Sequence, residues 1–378
     1  MQSTEPKNPE LFAKALALKS WAADKRFMGA GVAPEKADAT FRKAANNAFS
    51  EGEQNILMKK GVTAVGVSEK SDTIVLYTNT ELNRTGKKNM PDEILEGANL
   101  LYRKATAYVL KDDIEDVYIG VNPGRFHKKR YACGSSISIA NRRSAGTLGC
   151  LVKNAQNELF GLTNNHVTGG CNNTRVGMQV LAPGVRDVMI GQFDPFAIGY
   201  HSLVGNMLQG EIDQDRIAKN TDAALFQIKD PKLVSSHQSG YYDTPANIGD
   251  FLADPDPSIG TRVKKVGRTS GLTYGFIESR LVGAFPLNYD ITTHHSASET
   301  VRFLGKVFFD PVYVIRGADG EAFSSRGDSG SLVVTDEDEP KAVGIIFSGN
   351  AREKLSYMLQ IAPILKTLNV ELVSSHGV

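Results

Sequence analysis

A chain of 378 residues is long enough for one or two domains with a substantial core. Hydrophobic residues at 41% and charged residues at 22% are ordinary for a globular protein, and a formal net charge of +1 excludes bulk attraction to nucleic acid or to an acidic membrane surface. Three cysteines, Cys133, Cys150 and Cys171, are too few for a disulfide framework, and buried free thiols are expected.

The first residues mix polar, acidic and basic types without an apolar leader, and no run is long enough to span a bilayer. A cytoplasmic protein without membrane attachment is therefore expected. Residues 9–48 read as helical: Leu11, Ala15, Leu18 and Ala22 recur on one face beside Trp21. A second helix is expected from Ala33-Pro34, with Phe41 and Ala45 on its apolar stripe. Such a pair is more often a packing element than a docking arm. From residue 55 the pattern changes to strands, Val62 to Val67 and Thr73 to Tyr77, across a polar turn. A short helix is expected at Met90–Ile94 and a further strand from Lys104 to Leu110. Residues 120–131, with Pro123-Gly124 and Lys128-Lys129-Arg130, read as a solvated basic connector rather than a nucleic-acid patch, because aromatic interleaving is minimal. The 36 glycines favour a turn-rich β protein over the rest, and residues 362–368 read as a C-terminal helix.

Three stretches carry chemistry. Gly327-Asp328-Ser329-Gly330-Ser331 runs directly into the apolar Leu332-Val333-Val334. Glycines on both sides let the backbone bend tightly around Ser329, and the N–H groups of Gly327 and Ser329 are placed to meet a developing oxyanion. Such a stretch is otherwise a plain turn between strands. Upstream, the apolar Phe160-Gly161-Leu162 ends in Thr163-Asn164-Asn165-His166. Further on, Asp222 opens Ala223-Ala224-Leu225-Phe226. A histidine in a turn is by itself usually structural, and an aspartate at a strand start is usually a cap. A serine nucleophile needs a base, and the base needs an orienting carboxylate. The order His166, Asp222, Ser329 is one of the chain orders in which that constellation occurs.

On these residues the chain resembles the trypsin/chymotrypsin-like serine proteases, in an intracellular, bacterial-type branch with an N-terminal extension. Thr163 to Val167 looks like the histidine motif, Thr221 to Leu225 like the aspartate motif, and Gly327 to Ser331 like the serine motif. Val263-Lys264-Lys265-Val266-Gly267-Arg268 through Gly275 looks like the opening of a second barrel. The resemblance implies a mainly β fold of two six-stranded antiparallel barrels. The chain would divide into a helical segment at 1–54, a small α+β module with its connector at 55–131, and the double barrel at 132–378.

The resemblance also implies roles. Ser329 would attack a peptide carbonyl, His166 would carry the proton, and Asp222 would orient His166, with no metal and no cofactor. Asp328 would be held by an internal cation, Lys265 or Arg268, rather than by a new N-terminus made by cleavage. Phe323, Arg326 and the Phe347-Ser348-Gly349 edge would line the substrate cleft. With no acid in Phe323-Ser324-Ser325-Arg326, a small or apolar residue is expected before the cut. The expected function is a serine endopeptidase acting on a specific protein or peptide, controlled through the N-terminal region by a regulatory protein or a second copy. The rival is a latent or inactive binding module on the same scaffold.

Overall fold

The computed structural model describes residues 6–378 apart from 30–31, 33, 96, 107–108, 112–124, 189–195 and 212. Residues 120–124 of the expected basic connector therefore lie outside the described residues. Its end, Phe126–His127 and Arg130–Cys133, forms a short antiparallel ladder.

The strands Arg262–Gly267, Leu332–Thr335, Ala342–Asn350, Leu355–Gln360, Tyr313–Gly317 and Gly271–Leu281 pair in that order. The last pairs back onto the first, which closes a six-stranded antiparallel barrel. Its interior is apolar, with Val263, Ile277, Ile315, Val333 and Met358 all buried. A second body is the curved sheet Cys150–Lys153, Leu159–Thr163, Ala224–Ile228, Phe196–Val204, Gln179–Ala182, Ser136–Ile139. Among the described residues no ladder joins its two ends, so it is a half-barrel. The fold class is the mainly β double barrel expected, with this one body open rather than closed. Helix Ile361–Leu368 packs on the closed barrel, and Glu371–Leu372 then crosses to pair with Cys150–Lys153. The tail thus ties both bodies together.

The N-terminal part is joined to the closed barrel through its sheet. Val62–Val67 pairs with Gly271–Leu281 through Gly66↔Leu281 and Val67↔Arg280, and the sheet runs on through Thr73–Thr78 and Ala98–Lys104. Gly66 is required there, because a Cβ would lie 2.6 Å from Ser279 Oγ. Helix Pro9–Asp24 packs over this sheet. Leu11, Ala15, Leu18 and Ala22 are buried as their spacing predicts, and Trp21 stacks on Phe49 at 4.9 Å. Lys19 donates to Glu35 at 2.5 Å and to the carbonyls of Val282 and Ala284, which pins the helix to the barrel.

Several local expectations change. Residues 34–38 are not helical, because Glu35 is drawn onto Lys19. The second helix starts at Ala39, where Asp38 accepts from the N–H groups of Thr40 and Phe41. A third helix, Glu51–Lys60, runs across the expected boundary at 54/55 and is closed by a Ser50/Glu53 capping box. At Met90–Ile94 there is no helix. Glu93–Ile94 is captured as an edge strand by Ala98–Lys104, and the short helix lies earlier, at Arg84–Lys88. The strand expected from Lys104 to Leu110 appears as Ala98–Lys104 and Val109–Lys111. A long hairpin, Phe285–His294 with Thr300–Phe309, stands between barrel strands and is the largest element the sequence reading did not separate. Cys133, Cys150 and Cys171 are buried and no disulfide joins them.

Candidate active site

Register brings His166 and Asp222 together. Leu159–Thr163 runs antiparallel to Ala224–Ile228, with Thr163 opposite Ala224. Two residues beyond that pair, the chain reaches Asn165 on one strand and Asp222 on the other. The helical turn Asn165–Gly169 then folds His166 back over Asp222. Asn164 Nδ2 donates to the Asp222 carbonyl at 2.6 Å, and Asn165 Nδ2 donates to Asn172 Oδ1 and the Gly205 carbonyl, both at 2.7 Å. These bonds lock the turn at both ends.

Asp222 is fully buried and His166 is 7% exposed. The His166 N–H donates to Asp222 Oδ1 at 3.0 Å, and His166 Nδ1 lies 2.6 Å from Asp222 Oδ2. An ionised carboxylate only accepts, so Nδ1 carries the hydrogen and Nε2 is the ring atom free for a proton. A third donor arrives from the long hairpin. The buried Tyr289 hydroxyl donates to Asp222 Oδ2 at 3.0 Å. Burial and the neighbouring carboxylate hold this phenol well above its ordinary value, so it stays a donor at neutral pH. Tyr289 carried no motif in the sequence; the only available signal was a tyrosine on an alternating strand.

Ser329 sits in a turn between the two bodies. Gly327 and Gly330 have φ of +97° and +95°, where a side chain is strained. The turn is seated on the half-barrel. Thr147 N–H donates to the Ser329 carbonyl at 2.9 Å, Thr147 Oγ1 to the Gly327 carbonyl at 2.9 Å, and Thr163 Oγ1 to the Thr147 carbonyl at 2.8 Å. Contact is close enough that a Cβ on Gly330 would meet Thr163 Oγ1 at 2.3 Å. Thr163 is three positions before His166, so the serine turn rests on the strand that delivers the histidine. Among the described residues no hydrogen bond joins Ser329 to the His166 ring, and the N–H groups of Gly327 and Ser329 donate to no partner.

Asp328 points the other way, into the closed barrel. Its carboxylate lies 3.1 Å from Lys265 Nζ, and both side chains are fully buried. It also accepts from the N–H groups of Thr269, Ser270 and Ser325 at 2.8, 3.1 and 2.9 Å. Of the two cations expected to hold it, Lys265 does. Arg268 does not: its guanidinium forks onto Asp187 of the half-barrel, with Nε 2.6 Å from Oδ2. Arg268 thus bridges the two bodies behind Gly327, where a Cβ would strike it at 2.3 Å.

The expected cleft-lining set is largely corrected. Phe323 is fully buried in the barrel core beside Val263 and Ile277, and Phe347 is fully buried against Phe309 at 5.1 Å. Large apolar side chains adjoining barrel strands fill the interior instead of facing a ligand. Ser348 is buried and its Oγ has no hydrogen-bond partner among the described residues; Gly349 and Arg326 are half-buried.

Fold and site together define a chymotrypsin-like double barrel with a His–Asp pair and a serine turn at the junction of its two bodies. A family model described as the Nal1 C-terminal domain matches residues 247–372, which contain the closed barrel, the long hairpin and the C-terminal helix. Among solved structures, the chain is similar to Thermobifida fusca Protease A at 17% identity, covering 65% of this chain and 100% of that one, with a TM-score of 0.37. Nocardiopsis protease is similar at 19% identity, covering 64% and 97%, with a TM-score of 0.35. Cellulomonas bogoriensis chymotrypsin is similar at 16% identity, covering 65% and 98%, with a TM-score of 0.34. The comparison with curated proteins finds no match.

Proposed function

We propose that the chain is a serine endopeptidase that works through an acyl-enzyme on Ser329. The observation that carries this reading is the buried Asp222 carboxylate. It accepts from the His166 backbone, the His166 ring and Tyr289, and it lies behind a serine turn seated on the strand that delivers His166. In this reading Ser329 Oγ attacks a peptide carbonyl, and His166 Nε2 takes its proton and returns one to the leaving amine. Asp222 holds the imidazole in the required tautomer and stabilises the imidazolium. The N–H groups of Gly327 and Ser329 receive the oxyanion, a contribution worth about 3 kcal/mol per donor in the transition state. The internal Lys265–Asp328 pair supports the serine turn, so that no cleavage is needed for activation. The substrate is a cytoplasmic protein or peptide, and access is controlled through the N-terminal region.

The test is labelling of the full-length chain with a fluorophosphonate, located by mass spectrometry. Modification at Ser329 that disappears in His166→Ala is the expected result. Labelling equally fast without His166, or none under any condition, would overturn the reading. A second reading, a latent binding module, is favoured by one observation: among the described residues no hydrogen bond joins Ser329 to the His166 ring. Labelling that appears only after addition of cell lysate would favour latency.

Tyr289→Phe separates positioning from binding. Removing one hydroxyl from a buried carboxylate should lower kcat roughly tenfold and leave KM unchanged, because the substrate does not touch it. Steady-state kinetics on a peptide substrate check this. A change confined to KM would mean that the hairpin acts on substrate binding instead.

A further inference from the structure

A cleft remote from the serine turn lies where the N-terminal sheet meets the closed barrel. Its volume is about 810 Å³, within the range of small-molecule sites. One wall comes from the ends of Thr73–Thr78 and Ala98–Lys104. The other comes from Phe276, the 317–320 turn and the 352–354 turn. Seven of its lining residues are Lys or Arg and three are Asp or Glu, in a chain whose net charge is only +1.

Two of these cations are paired in place, Lys87 with Glu81 at 3.7 Å and Arg262 with Asp336 at 3.8 Å, while the others are not matched one for one by acids. At the floor, two guanidiniums share one carboxylate: Arg316 Nε donates to the fully buried Glu278 at 2.6 Å, and Arg103 Nε lies 3.4 Å from the same oxygen. Arg103 Nε is buried and makes no hydrogen bond. At the rim, Lys104 is paired with Glu353 at 3.2 Å, but that carboxylate also accepts from the Thr106 backbone. Arg352 and Lys354 flank Glu353, are exposed, and form no ion pair among the described residues. Phe276, Leu82, Pro255 and Pro257 supply apolar surface between the basic groups. Positive charge surplus to the local acids, two exposed cations at the mouth and an apolar wall suit a compact anion of high charge.

We propose that this cleft binds a small molecule bearing two or more phosphate groups. Such a ligand would bridge the N-terminal sheet and the barrel. The proposal is independent of the protease reading, because no residue of the cleft belongs to the serine site. Pyrophosphate, ATP and inositol hexakisphosphate are titrated separately into the full-length chain by calorimetry, with citrate as a control for charge alone. At least one phosphate probe should bind with micromolar affinity, more tightly than citrate and more weakly as salt is raised. Binding of all three identifies the phosphate chemistry itself as the ligand. Preference for ATP or for inositol hexakisphosphate identifies a nucleotide or a polyol phosphate. Arg352→Ala with Lys354→Ala, both at exposed positions, should weaken that binding by roughly tenfold or more. No binding at millimolar probe, equal binding of citrate, or unchanged affinity in the double variant would each overturn the proposal. Fluorophosphonate labelling of the same double variant is expected to match the unaltered chain, which keeps failure here distinct from failure of the serine site.

Discussion

Asp222→Asn should lower kcat/KM by about 10⁴-fold while leaving the chain folded. The physical reason is the tautomer. Asp222 Oδ2 accepts from both His166 Nδ1 and Tyr289, and Oδ1 accepts from the His166 backbone. An asparagine amide has one accepting and one donating end, so it cannot satisfy all three donors. If its oxygen stays with the backbone, its NH2 faces Nδ1 and forces the imidazole hydrogen onto Nε2, the atom that must take the serine proton. Asparagine has nearly the shape of aspartate, so the packing around this fully buried position survives. The check is kcat/KM together with the rate of fluorophosphonate labelling, alongside a thermal melt. A loss smaller than tenfold with an intact melt would remove Asp222 from the proton relay and with it the proposed mechanism.

Lys265→Met should destabilise the chain by about 3–5 kcal/mol, because it leaves the buried Asp328 charge uncompensated. Asp328→Asn should cost a similar amount, and the double variant less than the sum, since each single change strands the other group. Urea unfolding of the three variants measures the coupling. Additive losses would show that the two side chains do not act as a pair. The serine turn should fail with the pair, because Asp328 holds the N–H groups of Thr269, Ser270 and Ser325 around it. Ser329 labelling should therefore fall in both single variants.

The same pair sets a dependence on acid. Burial pushes the Asp328 carboxyl up, but Lys265 and the hydrogen bonds from Ser270 and Ser325 outweigh it and hold the group below the usual carboxylate value. A depressed folded-state value means that the stabilisation is present above about pH 3.9, the unfolded value. It is lost as pH falls through the lower folded one. Acid unfolding should therefore be shifted to higher pH in Asp328→Asn, where part of this stability is already gone.

The candidate site was legible in the sequence to the extent that its chemistry is local. Gly327, Ser329 and Gly330 stand together because a tight turn needs glycine at positive φ. His166 and Asp222 stand out because each lies where an apolar strand meets a polar turn. The internal cation for Asp328 was legible as a basic stretch, but the choice between Lys265 and Arg268 was not. Residues 265 and 268 both lie close to the serine turn; Lys265 reaches Asp328 in the barrel interior, while Arg268 meets Asp187 of the other body.

Composition and pattern by themselves determined a mainly β chain with helices at its N-terminal end, a C-terminal helix and three thiols outside any disulfide framework, and they singled out His166, Asp222 and Ser329 as a candidate serine site. These are consequences of side-chain period, turn chemistry and residue type, which act within a few positions. Only the tertiary structure decided which body closes, how the N-terminal sheet continues the barrel, and which large apolar residues near the serine become core. It alone brought Tyr289 to Asp222, and it alone gathered basic residues from distant stretches into one cleft. Each of these depends on strand pairing between residues far apart in sequence, where register and burial, rather than local preference, set which side chains meet.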